Sequence, residues 1–82
     1  MTIVTVRFFA AASDAAGREQ EEITFADAPT LGGLRDELVR RYGADMARVM
    51  RSGSFLVDGK VRRNLSVPVG DAVDILPPFA GG

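Results

Sequence analysis

One stretch constrains the fold more than any other. Leu31, Leu34, Leu38 and Tyr42 recur at spacings of three and four, so they share one side of a helix. Arg35, Asp36, Glu37, Arg40 and Arg41 point elsewhere, with Asp36–Arg40 and Glu37–Arg41 ordered as favourable i, i+4 pairs on the solvent side. Thr30 stands where an N-cap hydroxyl accepts from a free backbone N–H, and Gly43 is the usual terminator. A helix with one apolar stripe has to bury that stripe, and the surrounding sequence supplies mostly strands to bury it against.

Thr2 to Phe9 alternates, with Val4, Val6 and Phe8 on one face and Ile3, Thr5, Arg7 and Phe9 on the other. The following AAASDAAGREQEE is small, then charged, and reads as a surface connection. Ile23 and Phe25 alternate with Thr24 and Ala26 in a short second strand, which Asp27-Ala28-Pro29 stops. Beyond Gly43, ADMARVMR has the spacing of a short helix with Met46, Val49 and Met50 inward. SFLV is a third strand, and Asp58-Gly59 is a two-residue hairpin signal leading into Lys60-Val61. After an irregular passage broken by Pro68, AVDIL forms the last strand, with Asp74 at its solvent-facing position, and Pro77 ends it because proline cannot donate to a ladder. Gly32-Gly33 in the first turn of the main helix points to close packing against a strand, since its spacing matches no phosphate-binding loop.

One long helix with four or five strands is most economically packed as two layers, the helix laid across one mixed sheet, an α+β architecture. The expected arrangement places the first and last strands side by side in the middle. With 82 residues and no internal linker, the expectation is one domain spanning 1–82, with 77–82 as an extended tail.

The chain contains no cysteine and no histidine. Soft-metal sites and the usual Ser-His or Cys-His nucleophile pairs are therefore excluded, leaving carboxylates, Lys60, hydroxyls, Tyr42 and the termini as reactive groups. Few enzymes would be built from that set, so the expectation is a chain that is not catalytic by itself, with no metal and no tightly bound cofactor. A formal net charge of −1 with both signs interspersed predicts neither nucleic-acid nor membrane binding. The start lacks the charged region, long apolar run and cleavage site of a secretory signal, so a cytoplasmic location is expected. Asp58 and Asp71 each sit at a turn, where aspartate is chosen for local backbone hydrogen bonds rather than for chemistry.

The remaining candidate site is DILPPFAGG. Gly81-Gly82 alone is compatible with an ordinary frayed end, but the residues before it give the pair a direction. Pro77 and Pro78 favour a stiff, extended segment with a defined exit path. Phe79 is an apolar handle, and Gly81 and Gly82 have no Cβ, which lets backbone enter a channel that a side chain would block. A terminal carboxylate is ionised at neutral pH and a poor electrophile. Chemistry there requires activation by a partner, as a mixed anhydride with AMP.

The stretches VRFFAAA, LRDELVRRY and above all GDAVDILPPFAGG make the chain resemble the ubiquitin-like sulfur carriers of the MoaD/ThiS family, and within them the small subunits of molybdopterin synthase. The resemblance covers essentially the whole chain and implies a β-grasp fold. It also implies that Gly82 is adenylated by an E1-like enzyme using ATP, converted to a thiocarboxylate with sulfur from a donor enzyme, and inserted into a large catalytic subunit. There the sulfur passes to a pterin precursor of molybdopterin, in an assembly of two small and two large subunits. Carried over by position, Gly81 and Gly82 match the diglycine, Pro77, Pro78, Phe79 and Ala80 match its approach, and Phe9 and Leu76 fall where exposed apolar partner contacts are expected. Related carriers for thiamine thiazole or cysteine synthesis, and ubiquitin-like protein modifiers, share the tail. Where many members carry a valine-asparagine pair after the third strand, this chain has Val57, Asp58 and Gly59, which bears on partner preference.

Overall fold

The structure is a computed structural model, and it describes residues 1–77. In chain order the elements are β1 (Thr2–Phe8), α1 (Ala11–Ala16), β2 (Gln20–Phe25), α2 (Leu31–Tyr42), α3 (Ala44–Ser52), β3 (Ser54–Val57), β4 (Lys60–Arg62) and β5 (Ala72–Leu76). The five strands form one sheet in the order β2-β1-β5-β3-β4. β1 and β5 are parallel at its centre, with Val6 opposite Val73 and Phe8 opposite Ile75, and the other pairings are antiparallel. First and last strands therefore lie side by side in the middle of a mixed sheet, as the alternation predicts. This is the β-grasp arrangement.

One face of the sheet carries the core. Val4, Val6, Phe8, Ile23, Phe55, Val57, Val73 and Ile75 are buried there against Leu31, Leu34 and Leu38 of α2 and Met46 and Met50 of α3. Each large side chain contributes about 1.5–3 kcal/mol on full burial, so the α2 stripe is a principal source of stability. α2 begins as its sequence requires, with Thr30 Oγ1 accepting from the Gly33 N–H at 3.1 Å. Gly43, at φ 81°, closes α2 by donating to the Val39 carbonyl at 2.7 Å and opens α3. At the β3–β4 hairpin Asp58 and Gly59 both take positive φ, 52° and 85°, the signature of the two-residue turn.

Four expectations need correction. The stretch after β1 is not a bare connection, because Ala11–Ala16 forms the helix α1, with Ala12 fully buried and Gly17 closing it at φ 72°. Alanine is the best helix former, and its methyl suits a close approach to the sheet, so a segment without an apolar stripe still folds and packs. β2 begins at Gln20, before the apolar alternation starts, because backbone pairing with β1 does not need apolar side chains. Of the glycine pair, Gly32 packs against the segment after β4 and Gly33 against Pro29 and Thr30, rather than against a strand. The Gly32 N–H donates to the Leu65 carbonyl at 2.9 Å, and a Cβ on Gly32 would stand 3.2 Å from that oxygen. Finally, Arg40 pairs with Glu37 rather than Asp36, so Glu37 takes both Arg40 and Arg41, at 2.5 and 2.7 Å.

Candidate functional site

The sheet topology determines where the chain leaves the body. β5 is central and runs parallel to β1, so Leu76 and Pro77 emerge at the end of the sheet where β1 turns into α1. The Phe9 N–H donates to the Ile75 carbonyl at 3.2 Å, holding the two strands together to the last full residue before the exit. Ile75 is fully buried, whereas Leu76 and Pro77 are half-buried. The exit is therefore rigidly tied to the core up to Leu76.

On the other side of β5, Leu76 pairs with Ser54, and the preceding Gly53 lies directly against the Leu76 carbonyl. A Cβ on Gly53 would come within 2.1 Å of that oxygen and 2.8 Å of the Val49 carbonyl. Only glycine fits this junction between α3 and β3. Sequence reasoning missed Gly53, since it stands between two elements and looks like any other terminator.

The open face of the sheet carries the second part of the site. Arg7 and Asp74 are partners in the β1–β5 register, and the guanidinium grips the carboxylate with two hydrogen bonds, both 2.7 Å. Alternation does place Asp74 on the face away from the helices, but the residue is only 8% exposed, because Arg7 and the neighbouring strands cover it. The expectation of a solvent-facing aspartate is thus corrected, and the reason is a bidentate cap. That hydrogen bonding raises the Arg7 pKa above its already high ordinary value. The guanidinium carbon also lies 5.8 Å from the centre of the Phe9 ring, which is 39% exposed.

By register, Phe9 and Leu76 fall on the same open face and at the same end of the sheet as this pair. Phe9, Leu76 and Pro77 thus stand at the same end of the sheet. Pro78, Phe79, Ala80, Gly81 and Gly82 lie outside the described residues. Among the described residues no group of three acidic side chains could hold a metal ion. No helix among them is long and apolar enough to cross a membrane.

With this geometry in place, the comparisons with known proteins become specific. A profile of the ThiS family matches residues 6–82. The chain belongs to the ThiS family of ubiquitin-like sulfur carriers. Members are generally non-catalytic subunits. Among solved structures, it is similar to a molybdopterin converting factor subunit 1 from Pyrococcus furiosus, at 20% identity and TM-score 0.78, covering 96% of this chain and 100% of that one. The small archaeal modifier protein 1 of Haloferax volcanii matches at 22% identity and TM-score 0.79, covering 96% and 100%. A complex of subunits 1 and 2 of the molybdopterin-converting factor from Helicobacter pylori contains a chain 28% identical, with TM-score 0.70, covering 99% and 100%. By sequence comparison, no curated protein matches the chain. The first two likenesses carry the β-grasp fold alone. The profile, which extends through the diglycine, carries the family.

Proposed function

We infer that this chain is the sulfur-carrying small subunit of a molybdopterin synthase, with the Gly82 carboxylate as its reactive group. The observation that carries the reading is the exit geometry: a central strand tied to the core up to Leu76, followed by a short Pro-Pro-Phe-Ala-Gly-Gly segment in a chain of this family. Nothing inside the domain has to react. The carboxylate attacks the α-phosphorus of ATP in an E1-like partner, pyrophosphate leaves, and hydrosulfide supplied by a donor enzyme then attacks the acyl carbon, displacing AMP and losing its proton to leave a thiocarboxylate. The large subunit takes the tail and passes the sulfur to the pterin precursor.

A large-subunit partner is favoured over the alternatives by the Helicobacter pylori neighbour, which is a complex of subunits 1 and 2 of the converting factor. A pairing of two small with two large subunits fits this reading. A protein-modifier role is the second reading, favoured by the Haloferax volcanii likeness. Carriers for thiazole or cysteine synthesis share the tail chemistry and differ in acceptor.

Incubation with ATP, an E1-like activator and a sulfur source is expected to exchange one oxygen for sulfur at the C-terminus. Oxidation of Met1, Met46 or Met50 gives the same nominal mass, so the tail fragment is analysed and the product trapped with a thiol alkylator. An unmodified tail under these conditions overturns the carrier reading. Isopeptide conjugates to lysine, in place of sulfur transfer to the pterin precursor, would favour the modifier.

A further inference from the structure

The lysine and arginine side chains divide by place. Arg7, Arg18, Arg35, Arg40, Arg41 and Arg48 each pair with a carboxylate. Arg51, Lys60, Arg62 and Arg63 pair with none among the described residues, and all four are exposed. These four are neighbours in the fold rather than scattered over it. Arg51 is in the last turn of α3, Lys60 and Arg62 are in β4, and Arg63 follows β4 directly. In the β3–β4 register Lys60 opposes Val57 and Arg62 opposes Phe55, both buried core-side residues, so the two cations stand on the side of the sheet where α3 packs. A cavity of about 550 Å³ opens on the same side, with Val39 of α2, Met50 of α3, Phe55 of β3 and Leu65 as its apolar lining and Arg51 and Arg63 beside them. Leu65 is 36% exposed there. The carboxylate in the lining, Asp36, is held by Arg35 at 3.2 Å.

Charged side chains on an edge strand discourage pairing with another sheet, and Lys60 and Arg62 are placed to do so. Arg51 on a helix and Arg63 beyond the strand guard no edge, yet they border an apolar cavity. Lys60 and Arg62 alone are about 7 Å apart along the strand, so the charge is spread over a surface and suits several separated carboxylates better than one small anion. The cavity lies within the range of about 300–1,000 Å³ typical of ligand sites, and its walls suit apolar side chains. Phe55, the aromatic ring in the lining, is only 6% exposed and offers no face on which a nucleic-acid base could stack. The complement of this face is a peptide in which apolar residues are flanked by carboxylates.

We propose that α3, β4 and residues 63–65 form a docking surface for an acidic, amphipathic segment of a partner protein, its apolar side chains entering the cavity among Met50, Phe55 and Leu65 and its carboxylates pairing with Arg51, Lys60, Arg62 and Arg63. The surface lies on the opposite side of the sheet from Phe9 and the Arg7–Asp74 pair. Gly53 belongs to the cavity lining and abuts the Leu76 carbonyl, so a segment docked here sits near the end of β5 without crossing the open face. A partner held in this way leaves the open face accessible to another.

NMR titration of the full, isotopically labelled chain with the blocked peptide acetyl-Glu-Glu-Leu-Leu-Glu-Glu-amide tests this with neither an activating enzyme nor a sulfur source, so its outcome is independent of whether sulfur is ever carried. Expected are saturable shifts of the Met50 and Leu65 methyl groups and of the Arg51 and Arg63 side-chain N–H signals, diminished by added salt. The analogue with two alanines in place of the leucines is expected to bind about tenfold more weakly, because less apolar surface is buried. Arg51→Glu with Arg63→Glu is expected to weaken the leucine peptide about tenfold, since two attractions become repulsions. Both side chains are exposed, so the amide spectrum elsewhere should be unchanged. Absence of saturable shifts at low salt overturns the proposal, as does equal binding of the two peptides, which would reduce the face to a general anion sink. Binding indifferent to the double variant overturns the charge pairing. Shifts that arise with protein concentration alone would assign the cavity to a second copy, and tighter binding of a single-stranded oligonucleotide would assign the face to nucleic acid; either result overturns the proposal.

Discussion

Gly53 and the Arg7–Asp74 pair act on the same strand from its two sides, and neither role can be read from the residue type alone. At Gly53 the backbone sits in ordinary extended space, φ −90° and ψ −165°, so the requirement is room rather than an unusual dihedral. Gly53→Ala forces a methyl to within 2.1 Å of the Leu76 carbonyl, so β3 and β5 have to part at the exit. Overpacking of this kind costs about 1–3 kcal/mol, and urea denaturation is expected to show a loss of that size. A variant as stable as the parent would mean that the junction relaxes freely. The Arg7–Asp74 pair makes a different prediction, because the aspartate side chain is 11% exposed and that of the arginine 52%. Either single change leaves one partner without its counterpart, whereas removing both removes the conflict. Arg7→Met and Asp74→Asn are therefore expected to destabilise individually and to cost less together than their sum in a double-mutant cycle. Strict additivity would show that the two groups do not interact. Hydrophobic alternation marked Asp74 as outward, which is correct for its face. Its burial was invisible because the capping residue lies 67 positions away in the sequence.

Among the elements, α2 was the most legible and α1 the least, for one physical reason. α2 has a stripe of large apolar residues, a side-chain cap and a terminating glycine, and each appears in the structure at its expected position. α1 has one buried residue, an alanine, and a short alanine-rich helix has no periodic signal to distinguish it from a small-residue loop. The solvent face of α2 also carries a pH-dependent contribution. Hydrogen bonds first from Arg40 and then from Arg41 lower the Glu37 pKa from 4.5 to about 2. Because the folded value lies below the unfolded one, folding favours the ionised form. The contribution is complete above about pH 4.5 and is lost as pH falls toward 2. The Arg40 side chain is 71% exposed and that of Arg41 35%, so added salt is expected to shrink the effect. Glu37→Gln should flatten this part of the acid limb in thermal melts between pH 4.5 and 2, while an unchanged limb would place the acid sensitivity elsewhere. A second cluster ties α2 to β2. Glu21 accepts from the Tyr42 hydroxyl and from Arg41 at 2.8 Å, and burial, reinforced by that carboxylate, raises the tyrosine pKa.

At the scale of the whole molecule, stability and chemistry are separated along the chain. The core closes at Ile75, the last fully buried residue of β5, and the reactive group of the proposed carrier is seven residues farther on. This division explains why the site was legible only as a direction. The residues that build the exit are ordinary strand and turn residues, and the proposed reaction takes place in a partner's active site, so no constellation of side chains among the described residues announces it. It also makes the tail independently variable. Deletion of Gly82 removes the diglycine end without removing a packed side chain or a strand hydrogen bond among the described residues. Thermal stability is expected to stay within about 0.5 kcal/mol of the parent, as for changes away from packed features. Thiocarboxylate formation should fall to background in the same preparation, because Gly81 would then present its carboxylate one residue, about 3.5 Å, short of the activating centre. Phe79→Ala separates partner binding from the chemistry at the terminus. On the proposed function, in which Phe79 anchors the tail, the substitution is expected to weaken binding of the large subunit by more than about 1 kcal/mol in calorimetry. A melting temperature that fell sharply on deletion of Gly82 would make the terminus structural, and full activity after the deletion would move the reactive group away from it.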